Sequence, residues 1–200
     1  MLIGSNLSKT YPSKKALENV SIQIDAGQIC GLLGRNGAGK TTLFKILCGL
    51  IKPDKGEVTI NSKRSKPIGG IIERPGLYNY LNAYDNLRIF AGIQGVATDR
   101  AAIHQHLLKV GLPLDRKDPV RNFSMGMKQR LGIAIALLND PECLVLDEPF
   151  SGLDPIGVAS LITLIQRLAT EENIAILLSS HLMGELSKCC HYLYVIDDGQ

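Results

Sequence analysis

Apolar residues recur along the chain with two different periods. Continuous apolar runs predict buried β-strands at 29–33, 144–147, 174–179 and 192–196. Apolar positions with helical spacing predict helices, chiefly at 40–50, 83–93, 99–112, 125–139 and 157–173. Because strands alternate with helices over much of the chain, we expect an α/β fold built on a parallel sheet.

One helical segment, at about 82–140, interrupts this alternation. A length of 200 residues is typical of one domain, or of one domain that carries a subdomain. We therefore predict a single domain over 1–200, in which about 75–140 form an inserted α-helical subdomain.

Composition narrows the class of protein. Hydrophobic residues make up 45% of the chain and the net charge is +3, without the basic block that would indicate a nucleic-acid surface. No apolar run approaches the roughly 18 residues of a membrane span, and no signal peptide is evident. The five cysteines lack metal-ligand spacing, so buried thiols in a reducing compartment are expected; for the adjacent pair Cys189 and Cys190, a packed helix face is preferred to a redox role.

The stretch "GRNGAGKTT" lies between a predicted buried strand and a predicted helix, and has phosphate-loop spacing. Glycines allow backbone N–H groups to turn towards an anion, and the helix N-terminus adds its positive dipole end. Lys40 would place a mobile charge on the β and γ phosphates, and Thr41 would offer its hydroxyl to Mg²⁺. The candidate nucleotide-binding residues here are Gly34, Arg35, Asn36, Gly37, Ala38, Gly39, Lys40, Thr41 and Thr42.

Two acidic residues follow the strand in "LVLDEP". Ligands of open α/β sheets bind beyond the carboxyl ends of strands, which makes Asp147 the expected carboxylate ligand of Mg²⁺. Glu148 is adjacent, and we predict that it acts as the general base on the attacking water.

A serine and a glycine stand at the start of another helix in "FSMGMKQR". Taken alone, Ser124 is best interpreted as an N-cap. The same helix N-terminus is also suited to an anion such as the γ-phosphate.

Five motifs, in this order and spacing, resemble the nucleotide-binding domain of ATP-binding cassette (ABC) transporters: "GRNGAGKTT", "FSMGMKQR", "CLVLDEP", "SGLDP" and "SSHLMGEL". The resemblance implies an α/β fold of P-loop NTPase type, with an antiparallel β part at the N-terminus and the helical subdomain inserted. It also implies that Ser124 and Gly126 close over the ATP of a second, facing domain. We therefore expect a head-to-tail homodimer with two ATP molecules between the chains.

The resemblance assigns three further positions. Tyr11 matches the aromatic residue that stacks on adenine. Asp154, in "SGLDP", matches the loop that couples the two sites, and His181 matches the switch histidine at the γ-phosphate. His104 and His106 are two positions apart on a predicted helix, cannot share a face, and are predicted to be solvated.

The chain departs from the family pattern at two places. Residues 123–127 have the sequence FSMGM, where the family usually has Leu-Ser-Gly-Gly-Gln. Glu73 stands where the family usually has a glutamine that touches Mg²⁺. A carboxylate binds Mg²⁺ at least as well as an amide, but adds negative charge near the phosphates. Both departures resemble the branch that exports bacitracin, lantibiotics and similar peptides.

These features predict a Mg²⁺-dependent ATPase subunit that powers export through a separate membrane permease, on the inner face of the cell membrane. The block near 75–120 would receive a short helix from the permease. We expect no nucleic-acid partner. The family usually continues beyond the last predicted strand, so the C-terminal end is expected to be truncated.

Three alternative functions remain. One is a non-transport cassette ATPase of DNA repair, which would carry a long coiled coil. The others are a translation-linked protein with two cassettes and a binding module without catalysis.

Overall fold

The central feature is a five-stranded parallel sheet in the order β5-β6-β7-β3-β8, which confirms the α/β prediction. The computed structural model describes residues 1–200. The strands of this sheet are β3 (Ile29–Leu33), β5 (Ile68–Ile71), β6 (Cys143–Leu146), β7 (Ala175–Ser180) and β8 (Tyr192–Val195). The helices are α1 (Lys40–Leu47), α2 (Ala83–Gln94), α3 (Arg100–Lys109), α4 (Met125–Ala136), α5 (Pro155–Glu172) and α6 (Met183–Leu186).

The inner strands are buried on both faces, which is why their sequences are continuously apolar. Successive side chains of β6 point into two different cores. Val145 packs with α1 and the N-terminal strands, whereas Leu144 and Leu146 pack with the helices α2 to α5. Because parallel strands end at one edge, the residues that follow β3, β6 and β7 meet there.

The N-terminal antiparallel sheet expected from the family resemblance is present, in the order β2-β1-β4. Its strands are β1 (Leu2–Tyr11), β2 (Lys14–Ile24) and β4 (Lys55–Ile60). The pattern did not identify β1, because its pairing with β2 shifts register three times and Asn6 has a positive φ of 51°. Each shift breaks the two-residue alternation on which strand prediction depends.

Helices α2, α3 and α4 form a block that leaves the sheet after β5 and returns at β6. Local signals set its helix ends. Asn82 caps α2 by accepting a hydrogen bond from Asp85 N at 2.8 Å, and Gly95 ends that helix in the left-handed conformation. Asp99 caps α3 in the same way.

The prediction that His104 and His106 are solvated is wrong. The two rings are half-buried, since α3 packs against both α2 and α4. His104 meets the edge of Tyr84 with ring centroids 5.7 Å apart. His106 has a buried Nδ1 without a hydrogen-bond partner, and desolvation lowers the pKa of its ring.

None of the helices combines the length and the apolar character needed to span a bilayer.

Candidate active site

The loop of residues 34–39 joins β3 to α1 at the carboxyl edge of the sheet. No side chain caps α1, so the N–H groups of its first turn are available to an anion. The glycines serve different purposes. A Cβ on Gly39 would lie 2.6 Å from Ala16 O at a φ of +112°, whereas a Cβ on Gly37 would meet nothing within 4 Å. Gly39 therefore fits the loop against the protein, and Gly37 leaves its outer surface open.

Lys40 begins α1 and is nearly fully buried at this edge. Its Nζ donates to Gly34 O at 2.6 Å and to Arg35 O at 3.2 Å, and lies 3.1 Å from Glu148 Oε1. The ammonium is thus held inside the loop by two carbonyl dipoles and one carboxylate.

Asp147 connects the loop to two strands. Its Oδ2 accepts a hydrogen bond from Thr41 Oγ1 at 2.7 Å, and its Oδ1 accepts one from Ser179 Oγ at 2.7 Å. Ser179 Oγ in turn accepts from Glu148 N at 2.9 Å. Both carboxylate oxygens of the 4%-exposed Asp147 are therefore satisfied and fixed in orientation.

The donor set around Thr41 and Asp147 fits Mg²⁺. One hydroxyl and one carboxylate are adjacent, which leaves the remaining octahedral positions for phosphate oxygens and water. No group of three or more His, Cys, Asp or Glu side chains is placed to hold a metal. A hard cation that is completed by the substrate suits this site better than an all-protein metal cage.

Glu148 diverges from Asp147, because its backbone is left-handed with a φ of 48°. Its Oε2 lies 3.0 Å from His181 Nδ1. Its Oε1 is buried and makes no hydrogen bond of good geometry, so the 3.1 Å approach of Lys40 Nζ is a coulombic contact. The strained backbone aims one carboxylate between a cation and an imidazole.

A cavity of about 390 Å³ lies over the loop. It is lined by Tyr11, Ser13, Lys14, Ala16, Arg35, Asn36, Gly37, Gly39, Lys40, Thr41, Thr42, Asp147 and Glu148. Two of the predicted loop residues, Gly34 and Ala38, face the protein interior and do not line this cavity. Ala38 is 5% exposed, and a Cβ on Gly34 would lie 2.6 Å from Ile196 O.

Glu73 does not join Thr41 and Asp147 in this structure. Its Oε1 pairs with Lys45 Nζ at 2.8 Å, and this hydrogen bond lowers the pKa of Glu73 and raises that of Lys45. Glu73 lines a neighbouring cavity together with Glu148 and Met125.

Ser124, Gly126 and Asp154 lie apart from the cavity over the loop. Ser124 caps α4 by accepting a hydrogen bond from Met127 N at 3.3 Å, and Asp154 caps α5 by accepting one from Gly157 N at 2.8 Å. A Cβ on Gly126 would have only Leu153 near it, at 3.8 Å. Nothing within the chain explains why Gly126 lacks a side chain.

Residues 17–151 match the protein family described as ABC transporter, and this match covers more than half of the chain. The chain belongs to the ABC transporter family. Bacitracin transport ATP-binding protein BcrA of Bacillus licheniformis is 46% identical over 98% of this chain, which spans 66% of that relative. Lantibiotic transport ATP-binding protein SrtF of Streptococcus pyogenes is 42% identical over all of this chain and 88% of its own length.

Solved ABC structures share the fold. A chain described as the ATP-binding subunit of an ABC transporter superposes with a TM-score of 0.83 at 30% identity, and covers 100% of this chain and 87% of its own. A dimeric, post-hydrolysis structure of the ATP-binding cassette MJ0796, bound to ADP and Pi, superposes with a TM-score of 0.85 at 25% identity. The match covers 100% of this chain and 95% of the MJ0796 chain. The resemblance found in the motifs, including the similarity to bacitracin and lantibiotic transport proteins, is confirmed.

The sequence pattern did not identify several polar residues at the site, among them Lys14, Lys45 and Ser179. Lys14 lines the cavity, Lys45 holds Glu73, and Ser179 joins Asp147 to Glu148. Only Ser179 had a usable signal, since it ends a predicted buried strand at the edge where ligands of such sheets bind.

Proposed function

We propose that this chain binds and hydrolyses ATP with Mg²⁺, as the subunit that powers a transporter for bacitracin-like or lantibiotic-like peptides through a separate membrane permease. One observation carries the proposal: the uncapped start of α1, Lys40, Thr41, Asp147 and Glu148 surround a single cavity. Such a cavity offers N–H groups, a cation, metal ligands and a base to one polyphosphate.

Binding would use the loop and the β1–β2 turn. The backbone N–H groups of the loop and the helix dipole of α1 would hold the phosphates, with Lys40 Nζ exchanging Glu148 for the β and γ oxygens. Tyr11 is 41% exposed at the wall of the cavity, where its ring is available to adenine.

Hydrolysis would use Glu148 as the base. A water oxygen attacks the γ-phosphorus, its proton passes to Glu148, and the bond to the ADP oxygen breaks. Mg²⁺ bound by Thr41 and Asp147 would neutralise charge on the phosphates. His181 Nδ1, at 3.0 Å, orients the carboxylate, and departure of Lys40 towards the phosphates would free Oε1 for the water.

The exposed Ser124 and Asp154, and the open space beside Gly126, support a head-to-tail homodimer. MJ0796 is dimeric with ADP and Pi bound, and its fold matches this chain over its full length. In such a pair, Ser124 and the space beside Gly126 would face the ATP of the other copy, with Asp154 between the two sites. The relatives named for bacitracin and lantibiotic transport support a permease partner and a place on the inner face of the membrane.

The DNA-repair alternative requires a long coiled coil between the phosphate loop and Ser124. In that interval the longest helices are α2 and α3, with 12 and 10 residues. No feature of the site favours that class or the translation-linked class.

Replacing the base tests the proposal. We expect Glu148→Gln to lower the rate of ATP hydrolysis about 100-fold or more, because the water loses its proton acceptor. The same variant should form a stable ATP-bound dimer on size exclusion, since a neutral amide binds ATP but does not cleave it.

The matched control is Glu57→Gln, an exposed glutamate on β4 outside the cavity. It should hydrolyse ATP at the wild-type rate. Hydrolysis at the normal rate by Glu148→Gln, or a monomer in the presence of ATP and Mg²⁺, would contradict the proposed role.

A further inference from the structure

The turn between β1 and β2 brings a second lysine to the phosphate loop. Tyr11 and Lys14 are paired across this turn, and both line the cavity. Lys14 Nζ donates to Gly37 O at 2.8 Å. The ammonium therefore lies against the outer surface of the loop, where Gly37 leaves space for a ligand.

Lys14 also faces one carboxylate. Its Nζ lies 3.5 Å from Asp198 Oδ1, and the two side chains are 49% and 89% exposed. Exposed ion pairs are weak, because water screens them and both side chains lose freedom. A polyphosphate in the same cavity carries more negative charge than Asp198 and would compete effectively for the ammonium.

Asp198 cannot move far from the loop, because the backbone around it is anchored there. Gly199 N donates to Ala38 O at 2.9 Å, and Gly199 O accepts from Glu18 N at 2.7 Å. A Cβ on Gly199 would lie 2.8 Å from Ala16 O at a φ of +83°. The turn that carries Asp198 is thus fitted against both the loop and β2.

Lys14 and Lys40 meet the loop differently. Lys40 is 6% exposed and points inward to the carbonyls of Gly34 and Arg35, whereas Lys14 approaches from the β1–β2 turn. The two ammonium groups therefore reach different oxygens of anything held on the loop.

We propose that Lys14 is a second phosphate-binding cation, which contacts the polyphosphate from outside the loop, and that Asp198 competes with the phosphates for it. This inference rests on the proposed function, since it assigns Lys14 to the same nucleotide. It gives the turn after Tyr11 a role in holding phosphate as well as adenine.

The experiment measures ATP and adenosine binding by calorimetry. We expect Lys14→Met to weaken ATP binding about three- to tenfold, the scale of one partly exposed charge contact, and to leave adenosine binding unchanged. Lys14→Arg should keep most of the affinity. The matched control is Lys15→Met, since Lys15 is the next residue, pairs with Glu18 and does not line the cavity.

Asp198→Asn should change the ATP affinity in the opposite direction. Without its competitor, Lys14 should bind ATP about twofold more tightly, and this gain should vanish in the Lys14→Met background. The ATP affinity of wild type should also fall more steeply with salt than that of Lys14→Met.

Equal ATP affinities of Lys14→Met and wild type would overturn the inference, as would an equal loss of adenosine binding, which would make Lys14 part of the adenine wall. Failure of the wild-type protein to bind ATP would instead refute the proposed function. The circular dichroism of each variant checks that this exposed substitution leaves the fold intact.

Discussion

The phosphate loop and the surface around Ser124 are both helix N-termini, but they are built in opposite ways. Around the loop, Lys40 and Asp147 are buried and engaged by neighbouring groups of the same chain. Around Ser124, the only hydrogen bond of the side chain is a local cap, and the space beside Gly126 is almost empty.

The contrast shows where the chain is complete and where it is not. Groups whose charges are fixed by partners within the chain are ready for a ligand as they stand, which is electrostatic preorganisation. A glycine that no neighbouring atom requires indicates an approach from outside the chain. The loop half of the site is therefore built within one copy, whereas under the proposed dimer the Ser124 half would act on the ATP of a second copy.

The largest expected effect is on ATP hydrolysis when two inactive variants are mixed. Lys40→Ala and Ser124→Arg should each reduce ATP hydrolysis at least about 100-fold as homodimers, since each homodimer spoils both sites. In an equal mixture, half of the dimers are mixed and each keeps one intact site, so about a quarter of the wild-type sites should return.

The control for that mixture is the double variant, Lys40→Ala with Ser124→Arg, combined with an inactive partner of either kind. It should recover no activity, because every site then contains a damaged half. No recovery in the mixture of single variants would show that Ser124 serves its own loop or no loop.

A matched pair of glycine variants gives the next effect. Gly39→Ala should destabilise the fold by about 1–3 kcal/mol or more, because of its φ of +112° and the contact with Ala16 O. Gly126→Ala should leave the thermal midpoint unchanged or raised, since alanine favours a helix by up to about 1 kcal/mol. Its hydrolysis should nevertheless fall.

Thermal denaturation and hydrolysis are measured on both variants. Loss of stability in Gly126→Ala would mean that the glycine serves the packing of its own chain. Normal hydrolysis by a folded Gly126→Ala would mean that no second copy approaches it closely.

The smallest expected effect concerns Glu73, which lines the cavity next to the one over the loop. We expect Glu73→Gln to change the Mg²⁺ concentration for half-maximal hydrolysis about two- to fivefold, because one negative charge near the phosphates is removed. In Lys45→Met the same carboxylate loses its partner, so the shift relative to wild type should be opposite in sign.

The pH dependence follows from the pKa of Glu73, which Lys45 lowers below the usual glutamate value. A lowered pKa keeps the carboxylate charged through neutral and mildly acidic pH, so the difference between wild type and Glu73→Gln should persist there. It should disappear only as pH falls through the lowered pKa. Identical Mg²⁺ titrations of the two proteins at neutral pH would make Glu73 a bystander.

The sequence predicted those parts of the site that depend on short-range chemistry. Strand, glycine loop and helix are contiguous around Lys40, and Asp147 directly follows strand β6, so local spacing was sufficient to place them. Lys14 and Asp198 are far apart in the chain and meet only because the antiparallel sheet and the last turn both fold against the loop. No local pattern encodes such a meeting.

The sequence pattern also did not predict that the histidine rings of α3 are partly buried. His106 faces solvent by helical spacing, but α3 packs against α2 and α4 and the ring is partly desolvated. The register shifts of β1 hid that strand for a related reason, since irregular pairing is decided by the partner strand and not by the residues themselves.

The helical block is attached to the sheet by two adjacent strands. Glu73 follows β5 and Glu148 follows β6; these strands pair in parallel, and Asp147 N donates to Ile71 O at 2.9 Å. One strand spacing, about 4.8 Å, separates the exit to the helices from the backbone of the acidic pair. A rigid tilt of the block would thus be transmitted to Glu148, the proposed general base, through the hydrogen bond between Asp147 N and Ile71 O.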